Sequence, residues 1–376
     1  MAKVLMKGNE AIGEAAIRAG ATNYFCYPIT PQTEVAEYLA KRMPEVGGVF
    51  LQGESELAVS NMLFGAAGAG ARVFTSSSSP GISLMQEALS YIAGAQLPVV
   101  IVNIVRGGPG LGGILPAQSD YFQATKGGGH GDYRLMVLAP ASVQEAVDLT
   151  MKAFYFADKY RNPVMVMGDG MIGQMMEPVE FIPPDEGDLP AKDWATTGAK
   201  GRPCNRIHSL HLDPIQLEQN NHVIAAKYEL MKKHEVMYEK YNCSRHNKLL
   251  LVAYGTMARI CKTAIAELKR QRISVGLFRP ITLFPYPEVQ LREAARSVGK
   301  LLAVEMSMGQ MVEDVERTVG RGKSVSFFGR CGGIVPSPEE VVAEVKRLVG
   351  AGKPAARKRA ATKSGSKKIA TKGRKG

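Results

Sequence analysis

Two short segments of the 376-residue chain carry residue types and spacings suited to chemistry. Gln52-Gly53-Glu54-Ser55-Glu56 sets two carboxylates where an expected strand turns into an apolar, small-residue helix. Glu54 is still in the loop, whereas Glu56 stands where the chain enters that helix. Glu56 is therefore the better candidate for a buried carboxylate with a raised pKa, the kind of group that holds or shares a proton. The plainer account is that acids in a first helical turn favour the helix dipole. Arg106 closes the most apolar run of the chain, Leu97 to Val105, and opens Gly107-Gly108-Pro109-Gly110-Leu111-Gly112-Gly113. Glycines there let a backbone approach a ligand, and a guanidinium can hold a carboxylate in a two-pronged grip. The alternative is a flexible loop with a solvated Arg. A phosphate loop does not fit, because GxxxxGK[ST] is missing and GxGxxG is only loosely approximated.

Two further segments sit at expected strand ends. Tyr27-Pro28-Ile29-Thr30-Pro31 is a loop bracketed by prolines ahead of a helix near Gln32, where Pro31 fits a first helical turn and Thr30 a cap. Ser76-Ser77-Ser78-Ser79-Pro80-Gly81 offers hydroxyls and amides to a polar ligand, although capping by one serine is the simpler reading.

The elements that must position these residues alternate. Strands are expected near Tyr24–Tyr27, Gly48–Gln52, Arg72–Thr75, Pro98–Val105, Arg134–Leu138 and Pro163–Met167. Helices are expected near Asn9–Arg18, Gln32–Lys41, Ser55–Ala69, Ile82–Ala93 and Val143–Asp158. This is an α/β pattern with a mainly parallel sheet, whose strand ends are where open sheets place ligands. A proline-rich connector from Glu177 and a polar helix over about Asp213 to Tyr241 follow. A second α/β block begins at Lys248, with strands near Leu249–Tyr254, Ser274–Leu277, Leu301–Glu305 and Val325–Phe328. The expected division is 1–180, a connector over 181–245, 246–350 and a tail over 351–376.

The formal charge of +12 is not spread over the molecule. Ten cations and no acid lie between Lys353 and Gly376, and removing them takes +12 to +2 for residues 1–352. The tail lacks the apolar side chains needed to offset its ordering entropy and is expected to be disordered. Its KPAARKRAATKSGSKK run resembles the basic tails of histone-like proteins, so weak, non-specific nucleic-acid contact by the tail is the non-enzyme reading. The body has 45% apolar residues, enough for a large core, which excludes global disorder. No signal-peptide pattern and no apolar run of about 20 residues is present, so a cytoplasmic protein without a membrane span is expected. Five cysteines lie scattered without a CxxC, which argues against a zinc site or an iron–sulfur cluster held by this chain alone.

In order, YPITP, ESELA from Glu54, TSSSSPG and an Arg-Gly-Gly loop after VVIVNIV resemble the alpha subunit of 2-oxoacid:ferredoxin oxidoreductases, most like the branched-chain 2-oxoisovalerate (3-methyl-2-oxobutanoate) type. Phe278-Arg279-Pro280-Ile281-Thr282-Leu283-Phe284-Pro285 and Val304-Glu305-Met306-Ser307-Met308-Gly309-Gln310 resemble its transketolase-C-like second domain. The likeness covers about residues 3 to 350. It implies a pyrimidine-domain fold followed by that second domain. It also implies thiamine diphosphate shared with a beta subunit that holds magnesium and a [4Fe-4S] cluster, with gamma and ferredoxin-like delta subunits alongside. Glu56 would contact the aminopyrimidine nitrogen, with Pro28 and Ile29 beside the cofactor, and Thr30 and Arg106 would receive the 2-oxoacid. Oxidative decarboxylation to an acyl-coenzyme A would then reduce ferredoxin, with 2-oxoglutarate and pyruvate as competing substrates. Gly168-Asp169-Gly170 resembles the opening of the magnesium motif of thiamine enzymes. The Asn which that motif requires is first met at Asn205, too late, so no metal is assigned to this chain.

Overall fold

In the computed structural model, which describes residues 3–185, 187 and 189–350, two sheets are built from mainly parallel strands. The first has seven strands in the order Thr282–Phe284, Met136–Leu138, Val164–Asp169, Val99–Val105, Val73–Ser77, Asn23–Cys26, Val49–Gln52. Val99–Val105 is buried along its whole length, as a strand covered by helices on both faces must be, and this explains its unbroken apolar run. Helices Gly8–Arg18, Thr33–Glu45 and Val143–Tyr160 cover one face. Glu56–Gly68 and Ser79–Gly94 cover the other. Because these strands run parallel, the loops after Cys26, Gln52, Ser77 and Val105 all leave one edge of the sheet, and the connections after the adjacent strands Asn23–Cys26 and Val73–Ser77 go to opposite faces, where such sheets open a crevice.

The second sheet has five strands in the order Ser324–Gly329, Lys300–Glu305, Leu249–Val252, Val275–Pro280, Tyr238–Tyr241. Helices Gly255–Arg270 and Pro338–Val349 pack on one side of it, while Met311–Val319 faces the first sheet.

Three features depart from the expected pattern. The polar helix ends at His234, and Tyr238–Tyr241 instead pairs antiparallel with Val275–Pro280, where Tyr238 stacks on Phe278. Tyrosine at both ends of this short, largely exposed segment suits an edge strand better than a helix. Thr282–Phe284 leaves the second block to pair antiparallel with Met136–Leu138, so the two sheets are stitched by one continuous segment. Val4–Lys7 and Met176–Val179 form a separate antiparallel ribbon that ties the two ends of the first block. The basic tail lies outside the described residues. Among the described residues, no helix is long and apolar enough to cross a membrane.

Arg279 locks the blocks together. It is 2% exposed and donates from Nη1 and Nη2 to both Glu145 oxygens, and from Nε to Glu239 at 2.7 Å. Burial pushes the Glu145 carboxyl up, but the hydrogen bonds and charge of Arg279 outweigh it and hold that carboxyl below its usual range.

Candidate functional site

The helix Glu56–Gly68 starts cleanly because Ser55, in extended backbone, accepts the Ala58 N–H. That cap fixes Glu56 as the first helical residue and turns it inward, leaving it 5% exposed, whereas Glu54 is exposed in the loop. Gly81 lies directly against it. A Cβ built there would fall 2.6 Å from Glu56 Oε1 and 2.1 Å from Ser77 Oγ, so only glycine lets the start of helix Ser79–Gly94 come this close.

The serine run divides its labour. Ser76 is tied off, bonded to the Tyr24 hydroxyl at 2.6 Å and donating to Gln32 Oε1. Ser77, Ser78 and Thr75 are fully buried, yet their hydroxyl oxygens have no partner. Ser78 occupies the N-cap position of the following helix without a side-chain bond, so the capping account does not hold here. Neither does Thr30 cap the helix Thr33–Glu45, whose N-cap residue is Gln32. Buried hydroxyls without partners cost about 1–3 kcal/mol each, a cost a polar ligand removes.

Arg106 is 7% exposed. Its Nη1 donates to the Thr30 carbonyl at 2.9 Å and its Nη2 to the Leu111 carbonyl at 3.1 Å, while Nε is buried without a partner. The solvated-Arg alternative is thus overturned. Ser79 accepts the Arg106 backbone N–H at 3.1 Å, so the first turn of one helix touches Glu56 through Gly81 and Arg106 through Ser79. Thr30 and Pro28 are exposed at the rim and Ile29 is half-buried. The structure therefore brings Thr30, Glu56 and Arg106 to one crevice. Ser77, Ser79 and Gly81 were visible only as a serine-rich turn, because a homopolymeric run does not say which hydroxyl faces which way.

Beside the crevice, a cavity of about 540 Å³ opens between the two blocks, with Ser79, Gly108, Asp120, Ser307, Gln310 and Cys331 in its wall. Burial pushes the Asp120 carboxyl up, and hydrogen bonds from Asn103 and Ser79 oppose that shift. Asp169 accepts the N–H groups of Met171 and Ile172, the work of a helix cap rather than of a metal ligand. Among the described residues, no group of His, Cys, Asp or Glu is placed to hold a metal.

Residues 14–242 match the family described as pyruvate flavodoxin/ferredoxin oxidoreductase, thiamine-diphosphate-binding. The chain belongs to that family. Residues 248–341 match pyruvate:ferredoxin oxidoreductase core domain II. The order of motifs pointed to the same two units. Among the relatives of this oxidoreductase chain, the ketoisovalerate oxidoreductase subunit VorB of Methanothermobacter thermautotrophicus is 46% identical, with 93% of this chain and 99% of that one aligned. The 2-oxoglutarate synthase subunit KorA of Archaeoglobus fulgidus is 38% identical, over 86% of this chain and 94% of that one. A solved 2-oxoglutarate:ferredoxin oxidoreductase from Magnetococcus marinus superposes with a TM-score of 0.81 at 26% identity, covering 92% of this chain and 65% of that one. The oxidoreductase chain binds thiamine diphosphate with its first block, and the crevice suits the group. It presents a buried carboxylate, the unpartnered Ser77 hydroxyl and a cradle that a single Cβ would fill.

Proposed function

We propose that this chain is the pyrimidine-holding subunit of a 2-oxoacid:ferredoxin oxidoreductase whose substrate is a branched-chain 2-oxoacid, 3-methyl-2-oxobutanoate first. The observation that carries the reading is Glu56, buried against Gly81 in the same crevice as Arg106. The branched-chain assignment is favoured by the 46% identity to a ketoisovalerate oxidoreductase subunit.

When bound, thiamine diphosphate supplies the carbanion-stabilising chemistry that decarboxylation of a 2-oxoacid requires. Glu56, buried at the start of its apolar helix, would hydrogen-bond the cofactor's aminopyrimidine ring. Pro28 and Ile29, at the rim, would lie beside that ring. Arg106 orients the 2-oxoacid carboxylate with N–H groups that its two carbonyl partners leave over. Thr30, exposed at the mouth, donates to substrate oxygens. The diphosphate, magnesium and a [4Fe-4S] cluster belong to a beta subunit, with gamma and ferredoxin-like delta subunits passing electrons to ferredoxin and coenzyme A taking the acyl group. The chain is active only within that complex.

The test is the assembled complex, assayed by viologen reduction against a panel of 2-oxoacids. Dependence on thiamine diphosphate and coenzyme A, with the highest kcat/KM for 3-methyl-2-oxobutanoate, is the expected result. A preference for 2-oxoglutarate would favour the second reading, which the 38% identity to a 2-oxoglutarate synthase subunit keeps in view. Turnover without coenzyme A or iron would sink both.

A further inference from the structure

The loop that bears Arg106 leaves the first sheet and returns. Arg106 pairs with Pro116 across an isolated bridge, and Gly107 N–H donates to the Leu115 carbonyl at 3.1 Å, so residues 107–115 hang from a two-residue stem. One leg of that stem is the central strand Val99–Val105. The other leg runs into Gln118, which is 2% exposed and belongs to no strand or helix.

Every polar group of Gln118 is used, and each partner lies in the second block. Its backbone N–H donates to the Met306 carbonyl at 2.8 Å, and its Oε1 accepts the Met306 N–H at 3.0 Å. Its Nε2 donates to the Tyr254 carbonyl at 3.0 Å, and its own carbonyl accepts the Tyr254 hydroxyl at 3.2 Å. Met306 and Tyr254 follow the carboxyl ends of Lys300–Glu305 and Leu249–Val252, two adjacent parallel strands whose chain connections run to opposite sides of the sheet. In an open α/β sheet that is the ligand position. Here a side chain from the first block fills it.

We propose that Gln118 is a positioning residue for the 2-oxoacid: the second block acts as a clamp that sets the Arg106 guanidinium through the stem of its loop. The inference rests on the reading of Arg106 as the carboxylate holder. A second clamp grips the loop from the far side, where a Cβ on Gly333 would fall 2.5 Å from Leu115 Cβ. Downstream, Gln310 donates to the Ser119 carbonyl at 2.7 Å and accepts the Phe122 N–H at 2.8 Å. Of the two carbonyls that hold the guanidinium, that of Leu111 sits in the loop whose stem the other block grips, while that of Thr30 belongs to the first block. Loss of the Gln118 bonds lets the stem relax, and sub-ångström misplacement of an orienting group weakens substrate capture before it touches chemistry elsewhere.

The experiment is a double-mutant cycle in the assembled complex with Gln118→Met, which keeps size and removes the side-chain bonds, and Arg106→Lys. Gln118→Met should raise KM for the 2-oxoacid about 10-fold, with kcat and the half-saturation for thiamine diphosphate and coenzyme A changed less than about twofold. In the Arg106→Lys background the same substitution should add nothing. An unchanged KM in Gln118→Met, with Arg106→Lys impaired, would overturn the inference alone, as would an effect that multiplies in the double variant. An unchanged KM in Arg106→Lys would overturn the reading of Arg106 and the inference with it. If Gln118→Met does not assemble, Tyr254→Phe decides. It removes one bond, should raise KM about threefold, and overturns the inference if KM stays put.

Discussion

Arg106 and Thr30, 76 positions apart in the chain, meet where the guanidinium Nη1 donates to the threonine carbonyl at 2.9 Å. The contact makes one rim of two loops that leave different strands, and it uses the threonine backbone while its hydroxyl stays free at the surface.

Arg106→Lys should therefore fail although charge is conserved. A lysine ammonium cannot bond the Thr30 and Leu111 carbonyls and still present a flat pair of donors to a carboxylate. The expected kcat/KM for the 2-oxoacid falls about 100-fold, with cofactor affinity unchanged. Steady-state kinetics and a thiamine titration of the same preparation check it.

Gly81→Ala should silence the enzyme from a position that touches no substrate. The added methyl collides with Glu56 Oε1 and Ser77 Oγ, and the helix or the carboxylate must give way. Overpacking of this kind costs about 1–3 kcal/mol of stability. The Gly81→Ala complex is expected to assemble with kcat reduced at least about tenfold. Wild-type turnover from an assembled Gly81→Ala complex would show that Glu56 is not held where the geometry puts it.

Arg279→Met should loosen the two blocks. It leaves the Glu145 and Glu239 carboxylates without their buried cation, a loss of about 3–5 kcal/mol. Arg279 holds Glu145 below its ordinary pKa, so this stabilisation is present above the ordinary carboxylate range and lost as pH falls through the depressed value. Urea unfolding should show the largest gap between wild type and variant near neutral pH, closing in acid.

Lys227 gives a stability term of opposite sign. Burial, helped by the charge of Arg161, pushes its ammonium down to about 7. Between that value and the ordinary lysine pKa the unfolded chain binds the extra proton, so stability rises with pH across the window, and below it the full penalty stands. Lys227→Met should stabilise the protein at pH 6 by about 1–2 kcal/mol, with the gain shrinking toward pH 10. A gain that grows with pH would contradict the assignment.

Much of the first sheet was legible because burial on both faces leaves a mark on composition. The run ending at Val105 and the Gly, Ser or Pro after each strand announced parallel strands and their loops. Glu56 was separable from Glu54 by one consideration, which of the two lies inside the helix. Thr282–Phe284 and Tyr238–Tyr241 were not legible as strands of their sheets, because a three- or four-residue strand takes its identity from the edge it pairs with. Gln118 gave no signal at all, since glutamine in a loop between Ala117 and Ser119 looks like solvated sequence.

The amino-acid sequence by itself determined the layered class, the two-part order and the residue types available for the chemistry, because periodicity and turn residues are local properties. It also showed that all but +2 of the +12 charge belongs to the tail rather than to the body. Only the tertiary structure decided that the Ser77 hydroxyl lies unpartnered beside Glu56, that Thr30 meets Arg106 through its backbone, and that Gln118 fills the crevice of the second sheet. Those are distances between segments far apart in the chain, and they are set by how helices and sheets pack rather than by any pattern along one segment.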